Sequence, residues 1–274
     1  MNQQQSTIWN STGGNTWVAA QALLDHMFQP IEDLLMQAIP PATQSLLDVG
    51  CGTGSTTLAA ARRLGADRRC TGIDISGPMI TAARDRAAQA QSSATFIQAD
   101  AQRHAFEPAS FDAIISRFGV MFFDDPAAAF SALRRATRDG GTLRCIVWRA
   151  PEDNPFMTAA ERSASALLPQ LPARVPDEPG QFGFANRERV RTMLEQSGWR
   201  DIDIAPLDVA CSFPEPDLLH YMTHMGPVGR LLQTAGESTR QQVAAVARAA
   251  FEPYVHGDQV RYTAALWDIR AGAR

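Results

Sequence analysis

The sequence predicts an α/β fold, a mostly parallel sheet with helical cap segments. Three observations predict it. Between residues 45 and 148, short apolar runs alternate with stretches of helical periodicity, as βαβ units require. The runs are apolar almost throughout, the pattern of strands covered on both faces. Two later stretches, 150–184 and 214–254, break the alternation and are placed over the sheet as insertions.

The elements follow in order. Residues 1–44 form a helical cap segment, with Asn15 or Thr16 capping a helix from Trp17 to about Gln37 and Pro40-Pro41 ending it. A core covers 45–149. Its first strand is Ser45–Gly50, followed by the helical TTLAAARRL; its second is Arg69–Asp74. Ser76 caps the next helix, which tolerates Pro78 in its first turn and runs to about Ala90. Thr95–Ala99 and Phe111–Ser116 are the third and fourth strands. Asp124 or Asp125 opens a helix to about Arg138, and Asp139-Gly140-Gly141 turns the chain into the fifth, Thr142–Trp148. An insertion or lid then spans 150–185. Residues 186–213 return to the core with a helix, Arg187–Ser197, and a strand, Asp201–Cys211. Residues 214–257 form a helical cap insertion, and 258–274 hold the last strand, Gln259–Ile269, the seventh.

Composition narrows the function. All 25 basic residues among the 274 are arginine. A Schiff-base lysine, a P-loop lysine and a Ser-Lys dyad are therefore excluded. The net charge of −4, with no basic block, argues against a nucleic-acid partner. No apolar run approaches the length of a membrane span. The opening MNQQQSTIWN lacks the basic and apolar regions of a secretory leader, so a cytoplasmic location is expected. Cys51, Cys70, Cys145 and Cys211 form no C-x-x-C pair and read as buried free thiols. Asn10-Ser11-Thr12 fits a glycosylation sequon by chance.

The strongest chemical signal is Asp48-Val-Gly50-Cys-Gly52-Thr-Gly54. Three alternate glycines on a strand-to-helix turn let backbone approach a ligand closely. A dinucleotide fingerprint requires G-x-G-x-x-G/A; from Gly50 its last position falls on Ser55, and from Gly52 on Thr57, so both frames fail. Asp48 would repel a pyrophosphate and suits a ligand carrying an ammonium group.

This stretch, LLDVGCGTG, resembles the first motif of the class I S-adenosylmethionine-dependent methyltransferases. The resemblance continues in order through Asp74, Asp100 in QADA, Ser116-Arg117-Phe118 and RDGGTLRCIVW, where Asp139 replaces the usual proline. It is specific over about residues 45–150 and lies nearest the small-molecule branch of ubiquinone and menaquinone biosynthesis. It implies a doubly wound sheet of seven strands whose last two form an antiparallel pair. It also implies S-adenosylmethionine as cofactor, with S-adenosylhomocysteine as product. Asp74 would take both ribose hydroxyls, Ile75 would pack on the adenine, Asp100 would accept the adenine amino group, and the Ala101 amide would serve a ring nitrogen. Asp48, Gly50, Cys51, Gly52, Gly54, Met79, Ser116 and Arg117 complete the expected cofactor set.

The activity so implied is in-line methyl transfer to an O, N or C atom of a small, apolar or aromatic acceptor. Such a reaction needs positioning and exclusion of water more than a base. Trp9, Trp17, Phe118, Met121 and Phe122 are the candidate acceptor wall, with Phe156, Phe182, Phe184, Tyr221, Met222 and Met225 in the insertions beside it. His220, His224 and His26 are candidates for a base or for orienting the acceptor. His220 and His224 stand at i, i+4, a zinc-like spacing without a third ligand, so no metal is expected. Arg117 either binds an acceptor carboxylate or pairs with a neighbouring acid. A nicotinamide-dependent oxidoreductase, a non-catalytic S-adenosylmethionine-binding protein and an aminopropyl transferase are the alternatives. Oligomeric state, a homodimer included, is left open.

Overall fold

The computed structural model describes residues 3–274. Its strands are β1 (Ser45–Val49), β2 (Arg69–Asp74), β3 (Thr95–Gln98), β4 (Phe111–Arg117), β5 (Thr137–Trp148), β6 (Arg200–Pro214), β7 (Val255–His256) and β8 (Gln259–Gly272). One sheet holds them in the order β3-β2-β1-β4-β5-β8-β6, with β7 paired beside β8. β1 to β5 run parallel, and β8 enters antiparallel between β5 and β6. All seven expected strands are present; β7 is an added hairpin arm. Since β2 and β4 flank β1 on opposite sides, the strand order reverses there, and a crevice opens beyond the carboxyl ends of β1 and β4.

The helices are α1 (Gln3–Trp9), α2 (Thr12–Ala19), α3 (Gln21–Ala38), α4 (Ser55–Leu64), α5 (Gly77–Gln89), α6 (Pro126–Ala136), α7 (Ala159–Ala164), α8 (Arg187–Gln196), α9 (Leu218–His224), α10 (Gly226–Leu232) and α11 (Glu237–Phe251). Ser76 and Asp125 cap α5 and α6 by accepting from the amides of Met79 and Ala128, and Asn186 caps α8. α3 packs on α4 and reaches β4, β5 and β6, while α6 packs on α8.

Two boundaries differ from expectation. The N-terminal helix does not begin at Trp17: α2 starts at Thr12 and α3 at Gln21. Gly13 and Gly14 lie inside α2 because the chain is pressed there against its neighbours. A Cβ on Gly14 would sit 2.1 Å from the Trp9 carbonyl and 2.6 Å from Ser76 Oγ. Asp139-Gly140-Gly141 is not a turn before β5 but a bulge within it. Thr137 pairs with Phe111 and Thr142 with Ala113, and Gly140 takes φ +80° in the slack between them.

The two insertions interlock. α7, from the first, packs against α10 and α11 of the second. Ala164, Leu168, Val228, Leu232 and Val243 give this cap a small core of its own. Asn154, fully buried, anchors the first insertion to the sheet. Its Nδ2 donates to the Ala265 carbonyl and its Oδ1 accepts from the Ala265 amide, each at 2.9 Å. Replacing it with alanine leaves the Ala265 amide unpaired in the interior, while the Ala265 carbonyl keeps the Arg149 amide at 3.0 Å. Asn154→Ala should therefore lower stability by about 1–3 kcal/mol in urea unfolding; a loss below about 1 kcal/mol would mean that the insertion is held by its apolar contacts alone.

Candidate functional site

Beyond β1 the backbone passes through Gly50, Gly52 and Gly54 at φ +70°, +54° and +85°. Gly50 meets Gly119, just past β4, so closely that a Cβ on Gly50 would lie 2.4 Å from the Gly119 Cα. A Cβ on Gly52 would meet nothing nearer than Met79 Sδ at 3.7 Å, which leaves its backbone open to a ligand. The Gly52 amide donates to Asp74 Oδ2 and the Ser76 amide to Oδ1, both at 2.9 Å. These bonds fix the carboxylate at the end of β2, while burial raises its pKa. Each oxygen retains acceptor capacity. Just past β3, Asp100 Oδ1 accepts from the amide and side chain of Gln102 at 3.0 and 3.1 Å.

Gly50, Gly52, Asp74, Ile75, Met79, Asp100, Ala101 and Arg117 all line one cavity of about 760 Å³. Its facing wall is aromatic. Trp9 stands edge-on to Trp17 and Phe122, with ring centroids 5.8 and 5.2 Å away. Phe118, at φ +67°, stacks on Trp148 at 4.8 Å. Met121, Phe123, Phe182, Tyr221, Met222 and Met225 also face the space. The α1–α2 segment is stapled over the end of β2. Asn10 Nδ2 donates to the Ile75 carbonyl at 3.0 Å, the Gly77 amide donates to Asn10 Oδ1 at 2.8 Å, and Ser76 Oγ donates to the Trp9 carbonyl at 2.6 Å.

Beneath the glycine loop lies a buried charge network. Asp48, fully buried, accepts from the hydroxyls of Thr56 and Thr57 on the same oxygen, the latter at 2.7 Å. Its other oxygen, Oδ1, has no partner among the described residues. Burial outweighs the two hydroxyl donors and the Arg117 charge, and pushes this carboxyl up to about 6. Arg117 stands 3.6 Å from Glu32 of α3, its face over Phe28, and burial lowers its pKa. Glu32 in turn accepts from Ser55 Oγ.

A family model described as a methyltransferase domain matches residues 46–141. Demethylmenaquinone methyltransferase of Staphylococcus aureus is 26% identical over 166 residues, which cover 58% of this chain and 68% of that protein. The family match falls on the strands and loops that build the glycine and acid wall. Residues 46–141 are a methyltransferase domain, similar to that of the class I S-adenosylmethionine-dependent methyltransferases. The fold is shared with the phosphoethanolamine N-methyltransferase 2 of Haemonchus contortus, solved with phosphomonomethylethanolamine and S-adenosylhomocysteine, at a TM-score of 0.57 and 18% identity over 98% of this chain and 58% of that one. It is also shared with the [4+2]-cyclase SpnF, at 0.58 and 19% over 94% of each chain.

The methyltransferase's cofactor is S-adenosylmethionine, and the wall fits it. An open glycine backbone and the two acceptors on Asp74 match the close approach and the donors of a ribose diol.

Several residues expected at the cofactor lie elsewhere. Asp48 is sealed under the loop and reaches no cavity surface, so any ligand contact must pass through water. Cys51 points into the α4–α5 cluster of Leu58, Ile80, Ala83 and Phe96, where burial raises its thiol pKa. Gly54 caps α4 and packs so tightly that a Cβ would meet Phe96 at 2.9 Å and Ala83 at 3.0 Å. Ser116, fully buried, donates to the Val49 carbonyl at 2.7 Å and accepts from the Gly119 amide at 3.2 Å, clamping the ends of β1 and β4. Trp9, Trp17, Phe118, Met121 and Phe122 do line the cavity, whereas Phe156 and Phe184 are buried in the core. Of the three histidines only His224 faces the cavity. His26 and His220 border a separate cleft of about 370 Å³ beside Asp217, because α9 turns His220 toward the start of α3. No group of three metal-capable side chains occurs among the described residues.

Sequence reasoning missed Asn10, Glu32 and Trp148. Glu32 carried a signal: a carboxylate one turn beyond Phe28, next to Ile31 and before Leu35, on the buried stripe of α3. Asn10 carried none, since its partners are backbone groups 65 and 67 residues away.

Asp48 binds its proton more tightly in the folded chain than in the unfolded one, whose carboxyl titrates near 3.8. Its ionisation therefore weakens the fold as pH rises from about 4 to about 6. Across that window wild type should lose on the order of 3 kcal/mol relative to Asp48→Asn in denaturant unfolding. A pH-independent difference would mean that Asp48 is ionised at no cost.

Proposed function

We propose that this methyltransferase acts in the cytoplasm on a small, apolar or aromatic acceptor, at an O, N or C atom. The observation that carries the reading is the continuity of one cavity, from the Asp74 and Asp100 wall to the aromatic wall of Trp9, Trp17, Phe118 and Phe122. The Staphylococcus relative, named for demethylmenaquinone, supports an apolar acceptor. The three arginines on the cavity wall, Arg117 of β4, Arg174 of the 150–185 insertion and Arg230 of α10, form no basic run, which suits a small acceptor better than a nucleic acid.

S-adenosylmethionine, when bound, supplies an activated methyl group and a neutral leaving group. This chain's residues supply position and dryness. Asp74 would hold the ribose through the acceptor capacity left by its two amide bonds. Ile75, Met79 and Ala101 would flank the adenine, and Asp100 would accept its amino group. The Gly50 and Gly52 backbone would face the sulfur-bearing chain, with Arg117 available to its carboxylate. Trp9, Trp17, Phe118, Met121 and Phe122 would hold the acceptor and exclude water, which strengthens every polar contact inside. Where the acceptor atom bears a proton, His224 on the cavity wall would take it. Its Nδ1 lies 3.2 Å from the His220 carbonyl and 2.9 Å from Thr223 Oγ1, leaving Nε2 for the acceptor.

Calorimetric titration tests the cofactor assignment. Wild type should bind S-adenosylmethionine and S-adenosylhomocysteine at micromolar concentration and ignore NADH, and Asp74→Ala should weaken both by at least about a hundredfold. Unchanged affinity in a folded Asp74→Ala would move the ribose elsewhere. With a turnover assay in hand, His224→Gln should lower kcat at least about tenfold without altering S-adenosylhomocysteine affinity; an unchanged kcat would leave positioning as the whole of catalysis.

A further inference from the structure

The acceptor end of the cavity carries a charge that no direct contact on the protein neutralises. Three arginines line the space: Arg117, Arg174 and Arg230. Arg117 is held by Glu32 at 3.6 Å. Arg174 donates to Glu161 at 2.6 Å and lies over the Phe182 ring at 4.6 Å. Arg230, on α10, makes no hydrogen bond or ion pair among the described residues. The wall around it withdraws water enough to lower its pKa, against the opposing pull of Glu161. Glu161 is already committed to Arg174, so two guanidinium groups share one carboxylate. Of the other acids on this wall, Asp177 is 3.7 Å from Arg189, and Glu152 and Glu178 stand at its rim.

Arg230 is exposed to the cavity beside apolar surface, and a guanidinium so placed is a receptor for a planar anion. Its donors are arranged to meet both oxygens of a carboxylate, and charge-assisted pairs of this kind are about twice as strong as neutral ones. α10 is joined to the catalytic space by Met222 and Met225, which line the same cavity. We propose that Arg230 is a specificity-determining residue that selects acceptors bearing a carboxylate at the end remote from the methylated atom. The acceptor is then an aromatic or apolar acid. Glu161 sets the strength of this selection by drawing on the same pair of cations. The proposal rests on the small aromatic acceptor argued above.

The test uses the full chain saturated with S-adenosylhomocysteine and two probes of equal size, 6-hydroxy-2-naphthoate and 6-hydroxy-2-naphthamide, whose hydroxyl and carboxyl or amide groups stand at opposite ends of the ring system, titrated calorimetrically. The naphthoate should bind at least about tenfold more tightly. Arg230→Gln should abolish that preference while leaving S-adenosylhomocysteine affinity unchanged, and Glu161→Gln should widen it. Equal binding of the two probes, or a preference that survives Arg230→Gln, overturns the role of Arg230 and leaves the aromatic acceptor standing. Failure of both probes to bind a chain that holds S-adenosylhomocysteine overturns the aromatic acceptor, and this proposal with it.

Discussion

The structure turns on one close approach, the meeting of the Gly50 and Gly119 backbones where the strand order reverses. A Cβ on either glycine would lie within 2.6 Å of the other's Cα. Side chains there would push β1 and β4 apart at their carboxyl ends and fill the crevice between them. Bare backbone does the opposite: the strand ends stay close, and the chain can leave each in a different direction. Gly50 leads toward α4 and the acids; Phe118, on the other side, is thrown into the left-handed region and onto Trp148. The cofactor wall and the acceptor wall therefore diverge from a single point. Ser116 secures it, bonding the ends of both strands at once.

A second constraint lies below the first. The glycine loop is backed by charge as well as by apolar side chains, since Asp48 and Glu32 lie buried beneath it and Arg117 runs from beside Glu32 to the cavity wall. Ion pairs so placed add little net stability but are costly to break. Their effect is geometric. Arg117 belongs to β4, Glu32 to α3, and Ser55 opens α4, so the network ties the N-terminal segment to the floor of the cavity from below. Asn10 ties the same segment from above, across the end of β2. Arg86 completes the attachment from α5, donating to Asp25 at 2.6 Å and to the Thr53 carbonyl at 2.8 Å.

What can be read from the sequence divides along the same line. The first three core strands are legible because each is a short run that ends at or just before Gly50, Asp74 or Asp100, residues whose chemistry is plain. The dinucleotide frames fail on spacing alone, and the acids fall at successive strand ends. Local pattern cannot distinguish a residue that faces a ligand from its neighbour that faces the core, which is why Cys51, Gly54 and Ser116 were expected one step too close to the cofactor. Asp48 is the instructive case. Its charge suits an ammonium partner, but the helix that follows brings Thr56 and Thr57 back over it, a consequence of helical spacing that composition does not show. The cap is the least legible part. α7 and α10 are too short to carry a period, and they meet only because two insertions separated by a helix and a strand of the core fold against each other.

The difference has a consequence for how such an enzyme changes its acceptor. The cofactor wall is made by loops of a few residues between strands whose register is fixed over their whole length, so a change there disturbs the sheet. The acceptor wall is made by α1 and α2, the segment after β4, the 150–185 insertion and α9–α10, four separate stretches of chain. The Gly180 amide donates to the Met121 carbonyl at 3.0 Å, joining two of these stretches, while the rest of the wall meets across the cavity through side chains, and the cap has its own small core. A substitution at Trp17, Phe182 or Met225 alters the shape offered to an acceptor while the Gly50–Gly119 contact and the Asp74 bonds remain as they are. The same sheet can therefore serve acceptors of different shape and charge, with selection left to the few cap residues that face inward.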